Sequence, residues 1–230
     1  MDDANGPASR EPPAERLAQR LGTGSSPRRS VASAALHELA EVDRAVYRAI
    51  AGTPTPTLDE PLRRLSNLAN HSKLWLGVAG AMVVFGGRTG RRAAATGAAA
   101  VAINSAIVNI PMKFASGRAR PDRGGAGVPQ GRWVPMPGST SFPSGHSASG
   151  FAFAGAVAGS MPGLAIPLRG LAAAVAYSRV HTGVHYPGDV VVGSLVGATV
   201  GEATALAARA LFRRRATTGT RSMTPAPTSA

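Results

Sequence analysis

Six side chains between residues 113 and 189 of this sequence have the types and spacing to act together on a phosphate. Lys113 is followed seven residues later by Arg120-Pro121. Pro143-Ser144-Gly145-His146 comes next, and Ser178-Arg179 precedes His185 and then Asp189. A phosphomonoester carries close to two negative charges and several acceptor oxygens. Arginine forks and a lysine ammonium neutralise and hydrogen-bond such a group. Ser144 and Gly145 open an apolar run. There the free N–H groups and dipole of a helix start favour an anion, and glycine lets the backbone come close. A neutral histidine can attack phosphorus in line. A carboxylate four residues later, as Asp189 is from His185, can hold the imidazole tautomer and stabilise its charged form. A second histidine, His146, can protonate the leaving oxygen, a contribution of about 10²- to 10⁴-fold.

The elements that must position these groups are apolar runs with basic ends. Nine of the twelve acids lie at or before Glu60, and only Asp122, Asp189 and Glu202 follow it. Residues 93–112 are twenty residues without a charge, the length needed to cross about 30 Å of hydrocarbon. Residues 74–87 and 147–168 are similar runs, 190–208 is another with the single charge of Glu202, and a further helix starts near Leu164 and ends at Ser178. The pattern predicts an all-α fold, an integral membrane bundle of five spans. A sixth, poorly hydrophobic N-terminal crossing would bring the N-terminus inside. The high Ala and Gly content suits close packing of such helices. Arg88, Arg91 and Arg92 in an expected turn, with Arg169 and Arg213 to Arg215, fall on one side of the bundle. The positive-inside rule makes that side cytoplasmic and puts the phosphate motifs on the other. The expected location is the cell membrane, multi-pass, with the site facing away from the cytoplasm.

The segments before and after the bundle differ from it. Residues 1–30 are rich in Pro, Gly, Ser, Ala and charge, a composition expected to be disordered. Residues 31–70 carry two amphipathic helices. The first has Leu39, Val42, Val46 and Ile50 on one stripe. The second has Leu58, Leu62, Leu65 and Leu68 opposite Arg63 and Arg64, with a capping box at Thr57 and Glu60. It is expected in the membrane interface, with packing on the domain as the alternative. Residues 71–212 form the membrane-embedded catalytic domain, and residues 213–230 a basic, disordered tail.

The net charge of +13 calls for anionic partners, and the lack of cysteine excludes disulfides, thiol chemistry and cysteine-bound metal. Nucleic acid is disfavoured, because the cations are dispersed over helix ends with no aromatic platform. Lys113 is one of two lysines beside twenty-three arginines, as if a point charge were wanted there. His181, His185 and Asp189 recur every four residues and imitate a metal site. The surrounding cations argue against a divalent ion, so no metal or other cofactor is expected, and His181 becomes a lining residue. Arg118 and Arg123 read as aids to binding or as solvated charges. Asn104 and Asn109 read as helix-packing hydrogen bonders. Glu202 reads as a partner for an arginine or as a proton relay.

In order and spacing, the three motifs resemble the signature motifs of the type 2 phosphatidic acid phosphatase family, whose site architecture the vanadium-dependent haloperoxidases share. The resemblance runs from about residue 74 to residue 208, and no motif position departs from it. It implies a compact helical fold and a metal-independent mechanism. It implies His185 as the nucleophile that forms a phosphohistidine, Asp189 as its partner and His146 as the general acid. Lys113, Arg120, Ser144, Gly145 and Arg179 would hold the phosphate. The expected function is a phosphatase acting on a lipid phosphate or lipid pyrophosphate among membrane lipids. The Ala- and Arg-rich composition points to a bacterial member. A phosphotransferase using the same intermediate and a non-catalytic binder of anionic headgroups stay open. The Gly/Pro-rich residues 124–141, with Trp133, are expected as a loop over the entrance.

Overall fold

The computed structural model describes residues 27–221, and all regular elements among them are helical. In chain order they are α1 (Pro27–Gly52), α2 (Pro56–Leu68), α3 (Lys73–Phe85) and α4 (Gly87–Ile107). A π-helical turn (Val108–Met112) leads into α5 (Lys113–Ser116), followed by α6 (Gly145–Ala158), α7 (Ala165–His181) and α8 (Pro187–Arg221). The chain divides into two units between Val42 and Asp43. The first contributes the start of α1. The second contains everything after it, including all the phosphate motifs.

Local chemistry accounts for the starts of the helices. Pro56 occupies the first turn of α2, where a fixed φ and a missing N–H cost little. The helix therefore begins ahead of the expected capping box. Thr55 donates its hydroxyl to Asp59 Oδ1 at 2.9 Å, while Glu60 accepts from Arg63 Nε at 2.9 Å and Arg64 Nε at 2.6 Å. α2 packs on α7 through the buried Ser66. The turn from α3 to α4 is tight enough that a Cβ on Gly86 or Gly90 would collide with the Met82 carbonyl oxygen, and Gly87 has φ +57°. As a result Arg88, Arg91 and Arg92, expected in a turn, form the first turns of α4.

Among the described residues, two helical stretches are long and apolar enough to cross a membrane: Gly87–Ser116, of 30 residues, and Pro187–Arg214, of 28. They correspond to the expected spans at 93–112 and 190–208. α3, α6 and α7 have 13, 14 and 17 residues. At 1.5 Å per residue they reach roughly 20–25 Å each. The uncharged run at 147–168 proves to be two elements, because α6 ends at Ala158 and α7 begins at Ala165. The helix start expected near Leu164 is where α7 begins, at Ala165. Arg213 and Arg214, expected at the start of a tail, continue α8. Residues 1–26, most of the expected N-terminal tail, and 222–230, half of the expected C-terminal one, lie outside the described residues.

The core joins α3, α4, α6 and α7 around Trp75, Phe153, Val157 and Val175, with the Trp75 and Phe153 rings 5.5 Å apart. α8 lies against α6 along a glycine stripe. A Cβ on Gly193, Gly197 or Gly201 would collide with the carbonyl oxygen of Ser144, Ala148 or Ala152 respectively. Small residues at four-residue spacing let the two backbones touch. That approach sets the start of α6, with Ser144 and His146, against the start of α8, with Asp189.

Candidate active site

The turn after α7 folds His185 back toward that helix. Gly183 takes φ +73°, and the amides of Val184 and His185 donate to the Arg179 carbonyl at 3.1 and 3.2 Å. His185 is buried, with Nδ1 3.4 Å from Asp189 Oδ2 and Nε2 3.2 Å from Arg120 Nη1. A guanidinium only donates, so Nε2 accepts and the ring proton sits on Nδ1, facing Asp189. Burial, with the charges of Arg120 and Arg179, pushes the His185 imidazolium down to about 4 against the pull of Asp189.

Asp189, in the first turn of α8, is fully buried and fully engaged. Oδ2 accepts from Ser141 Oγ in a short hydrogen bond and from the Tyr186 amide at 2.9 Å. Oδ1 accepts from Arg118 Nη1 at 2.8 Å. The other arm of Arg118 donates to Asp43 Oδ2 at 2.6 Å, and Asp43 Oδ1 accepts the Gly188 amide at 2.7 Å. The Arg118 guanidinium also lies over the Tyr186 ring, 4.3 Å from its centroid. Read from sequence as a binding aid or a solvated charge, Arg118 is instead a clamp between two carboxylates.

The remaining cations surround the same place. Arg120 donates to the carbonyls of Ser139 (2.8 Å) and Val184 (2.7 Å), and Lys113 Nζ donates to Ser139 Oγ at 2.9 Å. Arg179 is fully buried. Its Nη1 donates to Ser66 Oγ at 2.6 Å, while Nε and Nη2 have no partner. Idle donors on a buried charge are unfavourable unless an acceptor arrives. Ser144 caps α6, its Oγ accepting from Ser147 Oγ at 2.9 Å, and its amide donates to the Asp189 carbonyl at 2.9 Å. Its side chain therefore serves the helix start. His146 Nε2 lies 2.9 Å from Asn70 Oδ1. Gly145, His146 and Lys113 line a polar cavity of about 150 Å³.

His181 turns elsewhere, with Nε2 2.9 Å from Thr55 Oγ1 and 3.2 Å from Asp59 Oδ1. Arg132, fully buried, donates to the same carboxylate oxygen at 2.8 Å and to the Thr53 carbonyl at 2.8 Å. This cluster pins residues 124–141 to the start of α2. Arg123, just before that segment, stacks over its Trp133 at 4.2 Å. Glu202 pairs with Arg169 at 3.6 Å near the middle of α8, away from the site. Sequence reasoning missed Asp43, Ser66, Asn70 and Ser139. Asp43 alone left a signal, as an acid beside the apolar stripe of α1.

The profile of the PAP2 superfamily matches residues 94–213 and spans all eight expected site residues. The chain belongs to the PAP2 superfamily. The decaprenylphosphoryl-5-phosphoribose phosphatase of Mycobacterium tuberculosis is 37% identical over 139 residues, which is 60% of this chain and 74% of that protein. Among solved structures, Aquifex aeolicus LpxE superposes with a TM-score of 0.57 at 25% identity, covering 71% of this chain and 94% of that one. The transmembrane PAP2 type phosphatidylglycerolphosphate phosphatase of Bacillus subtilis shares the fold, with a TM-score of 0.56 at 21% identity over 80% of this chain and 92% of its own. This PAP2 protein is an enzyme of the phosphatase class.

Proposed function

We propose that this PAP2 protein is an integral membrane phosphatase that hydrolyses a lipid phosphate or lipid pyrophosphate, without a metal, through a phosphohistidine on His185. The observation that carries this reading is the His185 ring. Its proton faces Asp189, and its Nε2 lies beside Arg120 in the cluster where Arg179 holds two nitrogens with idle N–H groups. The phosphate takes those two donors, with Lys113, Arg120 and the Gly145 amide at the start of α6 completing its shell. Ser144 acts by capping that helix start. Nε2 then bonds to phosphorus while the bond to the leaving oxygen breaks, and His146 gives that oxygen its proton. Asp189 stabilises the positive ring of the phosphohistidine. In the second half, water attacks phosphorus, His146 takes its proton, and phosphate leaves with the electron pair returned to Nε2.

The helices support a membrane site. Lys113 lies at one end of the 30-residue stretch and Arg88, Arg91 and Arg92 at the other; Asp189 begins α8, and Arg213 and Arg214 lie late in it. The basic ends read as cytoplasmic and the site as non-cytoplasmic. The remaining helices complete a bundle of five or six spans over residues 71–212, with α2 at the interface. The Mycobacterium tuberculosis relative favours a prenyl-linked lipid. The test is phosphate release by detergent-purified protein from a panel of lipid phosphates, with and without chelator. Alongside it, phosphoenzyme is trapped from labelled substrate. Chelator-insensitive release and a label lost in His185→Ala are expected. Loss of activity with chelator, restored by a divalent ion, overturns the metal-free reading.

A further inference from the structure

The polar cavity beside His146 holds more hydrogen-bonding capacity than a phosphate on Lys113, Arg120 and Arg179 uses. It shares Lys113, Gly145 and His146 with the site, but none of its walls comes from Arg120, Arg179 or His185. Displacement at phosphorus runs in line, with the attacking and leaving atoms on opposite sides. If His185 attacks from its own side, a chamber lined by His146 and not by His185 receives the leaving alcohol. That step rests on the phosphatase reading above.

The lining then describes the alcohol. Asn104, in α4, is fully buried, lines the chamber, and has no partner among the described residues for either its amide nitrogen or its amide oxygen. An asparagine side chain offers two donors and an acceptor, and buried amides are almost always satisfied. Asn109 lies one turn further along, in the π-helical turn Val108–Met112, and donates to Ser105 Oγ at 3.1 Å. Such turns frequently mark functional positions. Ser105, Asn109 and Ser149 line the chamber with Asn104. Read from sequence as a packing hydrogen bonder between helices, Asn104 makes no such bond. An alcohol without free hydroxyls would leave its amide unsatisfied, whereas a polyol would satisfy both ends. Sites built to bond a hydroxyl discriminate strongly against the analogue that lacks it.

We propose that this chamber is the leaving-alcohol subsite, with Asn104 as its specificity-determining residue. Its substrate is then a lipid whose phosphate is esterified to a hydroxylated unit, a sugar or glycerol, and not directly to a hydroxyl-free tail. The test compares kcat/KM on two lipids with identical acyl chains. Dioleoyl phosphatidylglycerol phosphate has a free hydroxyl beside the leaving oxygen, and dioleoyl phosphatidic acid has none. The wild type is expected to prefer the first. Asn104→Leu should reduce that preference at least about ten-fold, and Ser149→Ala should reduce it less. Ser149→Ala also carries the comparison should Asn104→Leu fail to fold. A wild-type preference for phosphatidic acid, or an unchanged ratio in both variants, overturns the inference and leaves the phosphatase reading intact. Release from neither lipid by a wild type that hydrolyses a hydroxyl-free prenyl phosphate also overturns the inference, whereas release from no lipid phosphate at all counts against the phosphatase reading itself.

Discussion

Arg120 Nη1 lies 3.2 Å from His185 Nε2, and because a guanidinium can only donate, this contact sets the imidazole tautomer before any substrate arrives. The proton is left on Nδ1, 3.4 Å from Asp189 Oδ2. An arriving phosphate needs only to take over the Arg120 donor to face the lone pair.

The first prediction concerns the charge of that ring. Burial, with Arg120 and Arg179, pushes His185 from its ordinary value down to about 4. The folded value is below the ordinary one, so the neutral nucleophile is present throughout neutral and mildly acidic pH and is lost only as pH falls through about 4. Histidine-selective NMR in detergent, with His185→Ala for assignment, should show no His185 titration between pH 8 and pH 5. Arg120→Gln should move the midpoint upward, since a repelling cation is gone. A wild-type midpoint near 6.5 would show that the ring is not held as described.

A second prediction concerns Asp43, which lies outside the residues the family profile matches. It holds Arg118 at 2.6 Å, and Arg118 holds Asp189 at 2.8 Å. Asp43→Asn keeps an acceptor for the Gly188 amide but removes the charge that fixes Arg118. Turnover should fall about ten-fold, with KM little changed, because loss of alignment at His185 affects the chemical step more than binding. Asp43→Glu should recover part of the loss. Equal changes in kcat and KM, or no recovery with Glu, would make Asp43 a purely structural residue.

The same residues show what the sequence could and could not disclose. The grouping of Lys113, Arg120, His146, Arg179, His185 and Asp189 as a candidate site was legible because its signals are local. His185 and Asp189 are four residues apart, and the others sit at the ends of recognisable apolar runs. The clamp was not legible. Arg118 meets Asp189 across 71 residues and Asp43 across 75, and no periodicity encodes a contact that helix packing creates. Ser66 against Arg179, 113 residues away, is the same case. Helix positions were largely readable from hydrophobic runs. The start of α7 was readable as well, near Leu164, although Gly, Ser, Met and Pro before it leave the run uncharged. Asn104 was misread because an asparagine inside an apolar helix has the same sequence signature whether it joins helices or lines a chamber.

The third prediction tests the packing that aligns α6 with α8. A Cβ on Gly197 would strike the Ala148 backbone, which cannot rotate away, whereas a Cβ on Gly170 in α7 meets nothing within 4 Å. Gly197→Ala should lower stability in detergent by about 1–3 kcal/mol and reduce activity with it, since Ser144 and Asp189 would be forced apart. Gly170→Ala should leave the thermal midpoint unchanged or raise it, because alanine favours helix over glycine. Thermal unfolding of both variants with a tail-independent probe, such as dye access to the core, makes the comparison. Equal midpoints would show that the close approach is not maintained in solution.

The last prediction concerns the division of labour between His185 and His146. Their surroundings differ in kind. His185 has a carboxylate at Nδ1 and a cation at Nε2, the arrangement of a nucleophile held in one tautomer. His146 has Asn70 at 2.9 Å and opens onto the polar chamber, with no carboxylate among its hydrogen-bond partners. A nucleophile is needed whatever the leaving group, whereas a general acid matters in proportion to the basicity of the leaving oxygen. An aryl phosphate departs with little help, and a lipid alcohol needs the proton. His146→Ala should therefore lose about 10²- to 10⁴-fold on a lipid phosphate and much less on an aryl phosphate. His185→Ala should lose both activities and the labelled phosphoenzyme. In His146→Ala with an aryl phosphate, the phosphoenzyme should still form and should accumulate, because the water that discharges it has lost its base. A labelled intermediate that survives in His185→Ala, or an aryl ester that rescues that variant and not His146→Ala, would exchange the two roles. The geometry at Asp189 would then serve to hold a proton donor rather than an attacking nitrogen.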